Sequence, residues 1–141
     1  MTTTTHHHVA DIASLFGVSV LASVDAPGWA ENRDALGLAP GADGPPEDPT
    51  LGGKSQGLTS QPGHAYRGGP VVLVHVEVAA HAALPDLVRT IAHEAHHVAQ
   101  AVLERVGESE TEEVHAYLAG YVAQTLTELA LDSGWTPAVD A

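Results

Sequence analysis

The stretch from residue 84 to 106 constrains the fold more than any other part of the chain. Leu84, Leu87, Val88, Ile91, Ala95, Val98 and Val102 recur at the intervals of one helical face. A run of this kind must bury one side against a core. The predicted helix begins near Leu84 or Pro85, since proline is tolerated in a first turn. It ends at Gly107, the residue type favoured just past a helix C-terminus. Nearly opposite the apolar stripe stand His93 and His97, inside the pattern His93-Glu94-Ala95-His96-His97, so they are not ordinary core histidines. Residues four apart lie about 40° apart around a helix, so the two imidazoles project from one face and can hold one metal ion together. Neutral imidazole nitrogens suit zinc. Glu94, about 100° round from His93, reaches a water molecule at such a metal without serving as a ligand. These are the ligands and the base of a zinc hydrolase. The competing reading is a chance match in a chain with 10 histidines among 141 residues, both side chains being merely solvated.

Composition narrows the setting. A chain of 141 residues fits one domain with a useful core and leaves no room for a large substrate-binding domain. Cysteine is absent, so any metal site uses histidine and carboxylate rather than thiolate. Against 18 acidic residues stand only Arg33, Lys54, Arg67, Arg89 and Arg105, for a net charge of −13. That field repels nucleic acid and anionic membrane surfaces, so neither is expected as a partner. The opening residues lack the basic region and apolar core of a signal peptide, and no apolar run approaches membrane-spanning length. The expectation is a soluble, cytoplasmic protein.

Taken in order, residues 1–8 read as a disordered tail whose His6, His7 and His8 are incidental or a tag remnant. Asp11 to Phe16 suggests a helical turn, and Val18 to Val24 a first strand. Asp25-Ala26-Pro27-Gly28 breaks that strand, and Trp29 to Leu36 suggests a short helix anchored by Trp29. From residue 37 to 57 the chain turns rich in proline, glycine and acid. It reads as a flexible loop within a single domain spanning 9–132, with a flap over a cleft as the functional alternative. Short extended pieces follow around Gly57–Gln61 and Gly63–Gly69.

Pro70 to Val78 is the clearest strand. Val72, Val74, Val76 and Val78 share one face, which looks buried; Val71, Leu73, His75 and Glu77 share the other, where His75 and Glu77 read as solvated unless they line a cleft. After the motif helix, Ser109-Glu110-Thr111-Glu112 fits a capping box. It opens a second helix through Val114, Leu118, Tyr121, Val122, Leu126 and Leu129 to about Leu131. Along it Ala116, Gly120 and Ala123 form a smooth strip suited to close helix packing, and residues 133–141 form a tail.

Catalytic zinc normally takes three protein ligands and leaves a fourth position open. Glu113 is the best third candidate, sharing a face with Tyr117, Gly120 and Gln124, while Glu110 and Glu112 serve the cap. In a hairpin turning near Gly107, Glu113 and His97 are offset by about 6–8 Å along the axis. If glutamate's reach does not close that gap, Gln124, Tyr117 or water completes the shell. His96, about 60° from His93, either flanks the site or is a partly exposed polar residue; His115 points nearly opposite Glu113 and reads as structural or surface.

The segment His93-Glu94-Ala95-His96-His97 followed by Glu113-Val114-His115-Ala116-Tyr117-Leu118-Ala119-Gly120-Tyr121 resembles the His-Glu-x-x-His zincins of the gluzincin kind. It resembles in particular small phage-type proteins with a later Glu-x-x-Ala-Tyr-x-x-Gly segment. The likeness covers residues 84–126. It implies an active-site helix flanked by a small sheet, one zinc ion on His93, His97 and Glu113, Glu94 as general base, and Tyr117 near the developing oxyanion.

The expected architecture is α+β: a small antiparallel or mixed sheet of three or four strands on the apolar side of the motif helix, with the second helix across the metal side. The expected activity is amide hydrolysis of a peptide or protein substrate. The alternative is a non-catalytic protein in which zinc clips the two helices together.

Overall fold

The structure, a computed structural model, describes residues 9–11, 18–37, 45–50, 56–60, 69–106 and 112–138. Among the described residues four strands and three α-helices, with a 3-10 turn at Val78–Ala80, make an α+β fold: β1 (Val9–Asp11), β2 (Ser19–Ser23), α1 (Ala26–Ala35), β3 (Gly57–Ser60), β4 (Val71–Val76), α2 (Leu84–Val106) and α3 (Glu112–Asp132). The sheet is mixed, in the order β1-β2-β4-β3. At its centre β2 and β4 run parallel with Ser23 opposite His75, while β1 and β3 pair antiparallel on the two edges. The N-terminal run 1–8, the pieces at 12–17 and 61–68, and Ser109 with most of the expected capping box lie outside the described residues.

Central position explains why β4 is so rich in valine. All six of its residues are buried, as expected of a strand covered on both faces. Val72, Val74 and Val76 join Val18, Val20, Ala22 and Val24 of the β2 segment, and against them pack Leu87, Ile91, Ala95, Val98 and Val102 of α2 and Leu118, Val122, Leu126 and Leu129 of α3. The opposite face carries a second, smaller core of Leu21, Val71, Leu73 and Trp29. Here the structure departs from the sequence expectation. His75 is fully buried rather than solvated, because α1 lays Trp29 over the second face.

That cover forms because α1 starts earlier than the strand-breaking reading of residues 25–28 suggests. Asp25 is the N-cap, its carboxylate accepting the Gly28 amide at 2.7 Å, and Pro27 occupies the first turn. Asn32 donates from its side chain to the Ala22 carbonyl, fixing α1 to β2. Part of the proline-rich stretch is also held down. The Trp29 indole donates to the Pro46 carbonyl at 2.7 Å, and the buried Arg33 guanidinium donates to that of Pro45. Residues 45–50 are thus anchored on α1, while 38–44 and 51–55 lie outside the described residues.

The long helices follow the predicted bounds, but their contact differs from expectation. Gly120 is exposed with open space where a side chain would sit, and Ala116 is exposed too. Of the smooth strip only Ala123 packs against the core, partly buried; the packing face is built from the larger residues Leu118, Val122 and Leu126. Nor does α3 cross the metal side of α2: it shares the core face. After α3, Trp135 packs on the core and donates to the His81 carbonyl at 3.0 Å, and the Ala138 amide donates to the Ala82 carbonyl at 2.7 Å. The expected tail thus folds back onto the start of α2. Among the described residues no helix is long and apolar enough to cross a membrane.

Candidate metal cleft

A cleft of about 460 Å³ opens between α2 and the edge strand β3, lined by Gly57, Leu58, Thr59, His93, Glu94, His97, Gln100, Ala101 and Glu104. Its floor is the polar face of α2, turned away from the core as the stripe requires. His93 and His97 meet there, their Nε2 atoms 3.2 Å apart and their rings edge-on with centroids 4.7 Å apart. Two zinc–nitrogen bonds of about 2.0–2.1 Å reaching these positions subtend roughly 100°, close to a tetrahedral angle. The pair therefore fits two corners of a zinc site.

Glu94 occupies the wall between α2 and β3 and is only 5% exposed. Its Oε1 accepts the Thr59 hydroxyl at 2.6 Å. The approach is close enough to need a glycine: a Cβ on Gly57 would stand 3.0 Å from Glu94 Cγ, 3.1 Å from its Oε2 and 3.0 Å from the His75 carbonyl oxygen. One strand residue thus holds the carboxylate and another, by lacking a side chain, makes room for it. Neither Thr59 nor Gly57 is recognisable as a site residue in the sequence, since both act through a register set by the pairing of β3 with β4. A glycine opening a short strand ahead of a threonine is the only local sign.

The remaining expected site residues lie elsewhere. Glu113 is exposed, Tyr117 is 75% exposed, and neither lines the cleft. The reason is rotational. His115, two residues past Glu113, faces α2: its Nε2 lies 2.9 Å from Nδ1 of His96, with ring centroids 4.6 Å apart. Two residues are about 200° of helix, so Glu113 is turned from that contact. Around α2, His96 and Glu94 lie on opposite sides of His93, so α3 and β3 flank α2 on different sides and the cleft belongs to β3. Among the described residues no group of three His, Cys, Asp or Glu side chains converges as a metal-holding set. No family model, curated protein or solved structure matches this chain.

Proposed function

We propose that the cleft is the active site of a zinc-dependent amide hydrolase acting on peptide or protein substrates. The observation that carries this reading is the convergence of the His93 and His97 nitrogens beside a carboxylate, Glu94, fixed in the same cleft by a strand hydroxyl. The donor set, two imidazole nitrogens with the bite described above, suits zinc; His93 and His97 would hold it. When bound, zinc supplies Lewis acidity for a carbonyl and acidifies a water molecule.

The chain's own residues do the rest. Glu94 takes the proton of the attacking water and delivers it to the departing amine. Thr59, donating to Oε1, orients that carboxylate and leaves Oε2 to act as the base. Burial of Glu94 against β3 removes competing solvent from one side of the carboxylate. Glu113, the third ligand expected from its helix face and from the sequence resemblance, is exposed and does not line the cleft, so the third position is decided by the test below.

The test combines metal content with turnover, in full-length chain whose His6, His7 and His8 are replaced by serine. The expected result is one zinc lost on His93→Ala or His97→Ala, with cleavage of a peptide library that disappears in Glu94→Gln while zinc is retained. Loss of zinc in Glu113→Ala assigns the third position to that residue; retention gives it to water. Metal binding indifferent to His93 and His97, or cleavage that survives Glu94→Gln, overturns the reading.

A further inference from the structure

Four imidazoles run in a line across the outer surface of the two long helices. His93 and His97 face each other in the cleft, His96 and His97 have ring centroids 5.5 Å apart, and His96 meets His115 of α3. From this arrangement we propose a second metal site, separate from the cleft, in which a late first-row divalent ion joins α2 to α3 through Nδ1 of His96 and Nε2 of His115. It does not rest on the hydrolase reading.

Three observations carry it. The first is the spacing: nitrogens 2.9 Å apart, each about 2.0–2.1 Å from one ion, subtend roughly 90° there. That is the angle of tetragonal coordination, which copper(II) and nickel(II) favour over the tetrahedron of zinc. The cleft pair, at 3.2 Å, has the wider bite.

The second is preorganisation. The ligands lie 19 residues apart in the chain, yet the core beneath them, with Ala95, Val98 and Ala99 on α2 and Leu118 and Val122 on α3, already sets the two helices side by side. An ion there need not gather its ligands from a disordered chain, so little of its binding energy goes into ordering them. The third is access and field. His96 is exposed and His115 partly so, which leaves the remaining coordination positions to water, and a chain of net charge −13 concentrates divalent cations at its surface.

The experiment titrates nickel(II) by calorimetry into the full-length chain with His6, His7 and His8 replaced by serine, and reads copper(II) at substoichiometric loading by electron paramagnetic resonance. Two equivalents of nickel are expected in the parent and one in His96→Ala, in His115→Ala and in His93→Ala. None is expected in the double variant His93→Ala/His115→Ala. The copper spectrum of His93→Ala should show imidazole nitrogen coupling that His115→Ala removes from it. Stoichiometry unchanged in both His96→Ala and His115→Ala overturns the second site, as does a parent that binds only one equivalent and loses it entirely on changing either His93 or His115, which means one shared ion. One equivalent lost with His96 or His115 but indifferent to His93 supports this site while removing the cleft reading. His96→Gln and His115→Gln, read alongside and checked for unchanged circular dichroism, separate loss of ligation from loss of fold.

Discussion

Histidine serves this protein in two opposite ways. His75 and His81 are buried, and each ring nitrogen has a partner supplied by the fold. In His75, Nε2 donates to the Glu77 carboxylate at 3.0 Å, and Nδ1 accepts the Ser23 hydroxyl at 2.7 Å. In His81, Nδ1 donates to the Glu77 carbonyl at 2.8 Å, which leaves Nε2 of a neutral ring to accept the Thr90 hydroxyl, also at 2.8 Å. On the outer face of α2 the pattern reverses, for there nitrogen faces nitrogen, His93 to His97 and His96 to His115. A carbonyl or carboxylate decides which nitrogen carries the proton, whereas a hydrogen bond between two imidazoles joins one N–H to one lone pair, and release of that proton to a cation sets two nitrogens at a spacing that it can bridge. Burial marks the histidines that build the fold; mutual approach marks those available to a ligand.

Mutation should separate the two groups sharply. His75→Ala is expected to have the largest effect, about 3–5 kcal/mol of lost stability, since it opens a cavity beside Trp29 and orphans the buried Ser23 hydroxyl. A urea midpoint shifted by less than the equivalent of about 1 kcal/mol would contradict the assigned network. His81→Ala should cost about 2–3 kcal/mol by the same measurement, because Thr90 and the Glu77 carbonyl each lose a partner.

Gly57→Ala comes next, at about 1–2 kcal/mol, as the new methyl pushes on Glu94 and the β4 backbone. Its diagnostic sign is slower hydrogen exchange lost along β3 before any loss along β2. The smallest effect belongs to His93→Ala, which should leave the urea midpoint of metal-free protein unmoved while removing the added stability that zinc confers on the parent. A large destabilisation without metal would place His93 with the structural histidines and dissolve the distinction.

Much of this was readable from residue order, within definite limits. The apolar stripe of α2 and the valine face of β4 are local periodicities, and both appear where the pattern puts them, apart from Leu84 and Val88, which stay exposed at the start of α2. The facing of His93 and His97 follows from a four-residue spacing and needed no tertiary information. What escaped depends on partners far away in sequence. The burial of His75 requires Trp29 on α1, the cradle of Glu94 requires Gly57 and Thr59, and the approach of His115 to His96 requires the rotation of α3 against α2. Helical geometry did place His115 opposite Glu113. It could not say which of the two would face α2.

The parallel pairing of β2 with β4 also bears on the order in which the protein comes together. Ser23 and His75 are 52 residues apart, so the centre of the sheet requires closure of a long loop, a slow step, before its contacts reward the chain. The facing pair on α2 is separated by a single helical turn and exists as soon as that helix does, on a microsecond scale. The residue that holds Glu94 sits on a strand that can dock only once β4 is in place. Refolding followed in the presence of a metal should therefore show cation capture preceding any catalytic competence, with the interval between them set by assembly of the sheet.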